Sequence, residues 1–157
     1  SEVQGKGVFA LSVMLQKAIE VATEALKGKE DGNGRPYVEH ALRVMEKMST
    51  EEEKIVAVLH DVLEDSEWSA RDLSALGFSK TVVDGVEQLT KRRDMTYYEY
   101  IEDISCSELA SKVKIAEVLD NQDVVRVNKM SFKTYSLEER AAKTIKLLNH
   151  EQVNIRR

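Results

Sequence analysis

His60 and Asp61 stand side by side at the end of an apolar run, Ile55-Val56-Ala57-Val58-Leu59. An imidazole beside a carboxylate offers a divalent cation two ligands from one short stretch of backbone. Burying both groups behind apolar residues is costly unless something binds them. Glu64-Asp65 follows one turn later, placed to handle a water held by such a cation. Two further places carry chemistry: His40, and the run Lys114-Ile-Ala-Glu117-Val-Leu-Asp120-Asn121. Two imidazoles with carboxylates suit manganese, iron, cobalt, nickel or zinc, whereas magnesium prefers an all-oxygen shell. A cation with open positions lowers the pKa of water from about 15.7 towards about 7 and polarises a phosphoryl oxygen. These residue types therefore point to metal-assisted hydrolysis of a phosphoester.

The pattern around those side chains is helical. A first helix is predicted from about Val8 to Lys27, with Leu11, Leu15, Ala18, Ile19, Ala22, Ala25 and Leu26 on one face. A polar loop over 28–35 follows. Pro36 then starts a second helix, where its missing N–H costs little, and this helix carries His40. Ser49 or Thr50 caps a third, with Glu52 or Glu53 within reach for a capping box, and the third ends near His60-Asp61. Ser69 caps a short helix that stops at Gly77, and Ser79 opens another through Val86 and Leu89. Thr96 with Glu99 forms a capping box ahead of Tyr100, Ile101 and Ile104. Ser107 caps the long helix that holds Lys114, Glu117, Asp120 and Asn121. Ser136 with Glu139 opens a last helix through Ile145, Leu147 and Leu148. With one proline and no sustained period-two alternation, the fold class is all-α.

Bulk properties narrow the function classes. The 157 residues fit one domain with room for a core. A net charge of −5 argues against general nucleic-acid binding through phosphate neutralisation. No apolar run approaches a membrane span, and the N-terminal stretch is not a signal peptide. A single cysteine, Cys106, rules out an internal disulfide framework and suits the cytoplasm. Cys106 itself reads as a small buried apolar residue. The cluster Lys91-Arg92-Arg93 reads as a solvated loop, with attraction of substrate phosphates as the alternative.

Taken in order, four segments carry a resemblance. They are Arg35-Pro-Tyr-Val-Glu-His40, Val58-Leu-His60-Asp61-Val-Leu-Glu64-Asp65, Val86-Glu-Gln-Leu-Thr90 and Val113-Lys-Ile-Ala-Glu117-Val-Leu-Asp-Asn121. The set resembles the HD-domain metal-dependent phosphohydrolases, most of all the branch of (p)ppGpp (alarmone) hydrolases, which remove pyrophosphate from the 3′ position. The resemblance implies an HD-type helical bundle over 8–157, behind a flexible tail over 1–7. It implies His40, His60, Asp61 and Glu117 as metal ligands and Glu64 and Asp65 as the groups that position or deprotonate the attacking water. Asn121, Lys114 and Asp120 would contact substrate, with Thr90 supporting the site. The implied cofactor is a divalent transition metal, manganese foremost. The implied partner is a nucleotide or related small phosphorylated metabolite, with homo-oligomer formation left open.

Three positions depart from that family. Glu117 stands where the family has an aspartate ligand, and its extra methylene displaces the carboxylate. It reads equally as a ligand, as a supporting group, or as the mark of a lost metal site, and Asp120 three residues on offers a partial substitute. Leu26 stands where the family often has a histidine. Asp31-Gly32 occupy a stretch where alarmone hydrolases carry basic residues. The alternative function is therefore an HD-like scaffold with an altered metal site, acting as a non-hydrolytic binding or nucleotide-sensing protein.

Overall fold

The computed structural model describes residues 12–127 and 143–149. Among these residues the regular structure is helical, apart from one isolated bridge between Glu30 and Pro36. The helices are α1 (Val13–Ala25), α2 (Val38–Glu46), α3 (Glu51–Leu59), α4 (Val62–Asp65), α5 (Ala70–Ala75), α6 (Lys80–Gln88), α7 (Tyr97–Ser105) and α8 (Glu108–Val127). Residues 143–149 are also helical. No helix among the described residues is long and apolar enough to cross a membrane.

Helix α3 is the centre of the molecule. Its residues Ile55-Val56-Ala57-Val58-Leu59 are apolar all round, which a helix tolerates only when surrounded by protein. Val56, Ala57, Val58 and Leu59 are fully buried. Helices α1, α2, α6 and α8 all pack against α3. A Cβ at Gly85 on α6 would sit in ordinary van der Waals contact with Val56, 3.4 Å from both its methyl groups. Leu26 joins the same core at 2 % exposure.

Helix starts follow the local capping chemistry. Ser12 caps α1 by accepting from the Leu15 amide, so that helix begins at Val13; residues 8–11 lie outside the described region. Thr50, not Ser49, caps α3, in a reciprocal capping box with Glu53. The Thr96–Glu99 box opens α7 as expected, and Ser69 forms a further box with Asp72 at α5. Ser107 Oγ accepts from the Ala110 amide at the start of α8. Gly77, with φ of 97°, takes the left-handed turn that ends the α5 segment. The Ser136–Glu139 box falls outside the described residues, but Leu148 is fully buried against the core.

Two expectations are corrected. Pro36 does not open the second helix: α2 starts at Val38. Asp31 Oδ1 accepts from the amides of Asn33 and Arg35, closing a loop that pairs Pro36 with Glu30 and sends the Tyr37 amide to the Lys29 carbonyl at 2.8 Å. Tertiary closure thus holds the proline outside the helix. Cys106 is exposed, not buried, because it sits just past the end of α7 as its C-cap.

Candidate metal centre

Helix α3 ends at Leu59, and the next two residues turn the chain into α4. His60 is the C-cap of α3 and Asp61 the N-cap of α4, so both side chains project from one buried corner. Helix α2 lies against α3 and brings in His40. One ligand atom from each of His40, His60 and Asp61 lies within 4.8 Å of the others. His60 Nε2 is 3.1 Å and His40 Nε2 3.8 Å from Asp61 Oδ2, and the imidazole centroids are 5.3 Å apart. All three residues are less than a tenth exposed.

Both imidazoles are oriented from behind. His60 Nδ1 donates to the Ala57 carbonyl at 2.6 Å, and His40 Nδ1 donates to Asp120 Oδ2 at 2.7 Å. Each acceptor fixes a proton on Nδ1 and turns Nε2 towards the cluster. His40 Nε2, His60 Nε2 and Asp61 Oδ2 are buried side-chain atoms without a hydrogen-bond partner. Three such atoms at one point are expensive in a folded protein, and a divalent cation satisfies all three. The donor set, two nitrogens and one carboxylate oxygen, suits a borderline divalent metal.

Electrostatics agree. Burial alone would lower the His60 pKa, yet Asp61 outweighs it and raises the group to about 9. Burial would raise Asp61, but His60 and a hydrogen bond from Tyr37 hold its carboxyl well below the usual range. Burial, reinforced by the Asp61 charge, pushes both Glu64 and Asp65 up. Positive charge in the cluster relieves that repulsion. Glu64 Oε1 accepts from the Lys91 amide at 2.8 Å, which ties the segment after α6 to the rim of the site.

Helix α8 carries the remaining candidates. Glu117 is outside the His40–His60–Asp61 cluster. Lys114 Nζ donates to its Oε1 at 3.1 Å, and Asn121 Nδ2 donates to its Oε2 at 3.0 Å. Glu117, expected as a fourth ligand, stands with its carboxylate between a lysine and an amide one turn to either side. Burial would lower the Lys114 pKa, but Glu117 outweighs it and keeps the ammonium charged. That ammonium also lies 5.1 Å from the centroid of the Tyr100 ring. Asp120, expected at the substrate, is 3 % exposed, with both oxygens engaged by His40 and Arg43.

No family model matches the chain. An 81-residue stretch, 49% of the chain, is 35% identical to the bifunctional (p)ppGpp synthase/hydrolase SpoT of Escherichia coli K12, and it spans 11% of that protein. The guanosine-3′,5′-bis(diphosphate) 3′-pyrophosphohydrolase of Shigella flexneri matches to the same extent, so the chain covers a small part of these relatives. A solved structure of a metazoan ortholog of SpoT, which hydrolyses ppGpp and plays a role in starvation responses, superposes with a TM-score of 0.75. That match covers 93% of this chain and 95% of the other at 23% identity. The chain has an HD-domain fold. In this HD bundle the paired His60-Asp61 sits at the junction of α3 and α4, with His40 facing it from α2.

The HD bundle also holds site residues that sequence reasoning passed over. Tyr37 packs its ring 5.2 Å from His40, and its hydroxyl helps to keep the Asp61 carboxyl low. Its place directly after Pro36 is the only local signal. Arg43, three residues after His40, grips Asp120 through Nε at 2.8 Å and Nη2 at 3.0 Å. Spacing along α2 puts Arg43 beside His40, but nothing local pairs it with a carboxylate on α8.

Proposed function

We propose that the chain is a divalent-metal phosphohydrolase. Its substrate would be a 3′-pyrophosphorylated nucleotide of the guanosine-3′,5′-bis(diphosphate) type, and manganese its cation. The observation that carries this reading is the convergence of His40 Nε2, His60 Nε2 and Asp61 Oδ2, all buried and without partners. These three residues would hold the cation. When bound, the cation supplies Lewis-acid chemistry, polarising a phosphoryl oxygen and acidifying water.

The chain's own residues do the rest. Glu64 and Asp65 stand on α4, directly after the ligand Asp61. With pKa values raised by burial, they are stronger bases than exposed carboxylates and suited to taking a proton from water. The Lys91 amide holds Glu64 in place. Tyr37 steadies Asp61 through its hydroxyl. Lys114 and Asn121, joined through Glu117, present an ammonium and an amide to a phosphorylated nucleotide. A nucleotide substrate would suit a cytoplasmic location.

The test is hydrolysis of guanosine-3′,5′-bis(diphosphate), with GTP and simple phosphomonoesters as comparators, in manganese and then in chelator. The reading expects pyrophosphate release that stops with chelator and in His60→Ala and Asp61→Ala. Turnover that persists in chelator overturns it. Glu117 supports a second reading, a binding protein without hydrolysis, because its carboxylate is spent on Lys114 and Asn121 and the set in the cluster is three ligands. Tight nucleotide binding without product, at full metal occupancy, would favour that reading.

A further inference from the structure

We propose that Asp120, clamped by Arg43, is the positioning residue of the metal site: it fixes the tautomer and the direction of His40. This rests on the metal reading above and assigns a role that sequence position alone does not suggest.

An imidazole ligates a cation through a bare nitrogen, so the other nitrogen must carry the proton and give it to an acceptor. His40 lies in the first turn of α2, with its Nε2 at the cluster and its Nδ1 turned to α8. There Asp120 Oδ2 accepts from Nδ1 at 2.7 Å, the short distance of a charge-assisted hydrogen bond. A carboxylate accepts only, so Nδ1 must carry the proton. The lone pair is thereby directed along Nε2 towards His60 and Asp61.

Asp120 is itself held. It is almost fully buried, and a buried carboxylate without a partner is costly. Arg43 supplies a two-point grip: Nε on Oδ1 at 2.8 Å and Nη2 on Oδ2 at 3.0 Å. The planar fork fixes the carboxylate in orientation as well as position. Arg43 sits three residues after His40 on the same helix, so α2 carries both the ligand and the group that sets its partner's angle. Helix α8 is thereby latched onto α2 at the metal site. His60 needs no such latch, because the backbone carbonyl of its own helix, at Ala57, performs the same task. The asymmetry explains why a buried ion pair is built behind one histidine and not behind the other.

Two measurements test this. The first is the nitrogen spectrum of the His40 ring in the metal-free protein. A proton on Nδ1 is expected in the unaltered chain, and an unprotonated Nδ1 overturns the proposal. Because no metal is involved, this result stands whether or not the chain proves to be a hydrolase. The second is manganese affinity by competition with a fluorescent chelator. Asp120→Asn is expected to weaken binding about 10- to 100-fold. Arg43→Gln, at a partly exposed position (38 %) and less prone to misfold, is expected to weaken it by less, in the same direction. Affinity unchanged in a folded Arg43→Gln and a folded Asp120→Asn overturns the proposal. Should the unaltered chain bind no manganese, the metal reading fails by that observation, and the ring spectrum alone decides the role of Asp120.

Discussion

The raised pKa of His60 sets a measurable cost on loading the proposed metal site. Burial opposes charge on His60, but Asp61 Oδ2 lies 3.1 Å from Nε2 and raises the pKa to about 9. Nε2 is also the atom that would ligate, so binding a cation must expel that proton. At pH 7, two units below that pKa, expulsion costs about 3 kcal/mol, or about 100-fold in apparent affinity relative to the deprotonated site. Between about pH 7 and pH 8 the affinity for manganese should therefore rise about tenfold, with about one proton released per ion. The sign is consistent with folding. The His60 pKa is raised from 6.5, so its contribution to the stability of the metal-free protein is complete below 6.5 and is lost as pH rises through about 9. Calorimetric titration with manganese, in two buffers of different ionisation enthalpy at each pH, counts the protons directly. An affinity that is flat with pH, with no proton exchanged, would refute the reasoning, because it would mean that no proton on His60 Nε2 is displaced by the ion.

Further outcomes follow from single contacts. Glu64→Gln should lower turnover by about 100- to 10,000-fold while manganese affinity holds, since Glu64 lies outside the three-atom cluster; equal loss of both would show it to be structural. Lys114→Met leaves the Glu117 carboxylate without its buried ammonium and should cost about 3–5 kcal/mol of stability by denaturant unfolding. Adding Glu117→Met should recover most of that loss, and no recovery would mean that the pair is not coupled. Thr50→Ala removes one half of the capping box on the central helix and should cost about 1 kcal/mol, read as a shifted unfolding midpoint with unchanged slope.

What the sequence made legible was local. The His60-Asp61 step and His40 on the preceding helix come together in the cluster, and the apolar run before His60 is buried in the core. The Thr96–Glu99 box was readable because its partners are three residues apart. Less local features were not. The four residues of α4 are too few for a periodic pattern, although they carry Glu64 and Asp65. Asp120 meets His40 and Arg43 across 80 and 77 residues, and a carboxylate on α8 looks the same in sequence whether it faces substrate or the back of a ligand. Glu117 carried three readings because one methylene decides what it touches, and in the fold its neighbours Lys114 and Asn121 are within reach. Pro36 looked like a helix start until the loop closed by Asp31 drew it into pairing with Glu30.

The most direct test of the central claim is an anomalous diffraction map from crystals grown with manganese. The account predicts one strong peak, within bonding distance of His40 Nε2, His60 Nε2 and Asp61 Oδ2 together. Fully loaded crystals with no peak there, or with the ion held elsewhere, would contradict it.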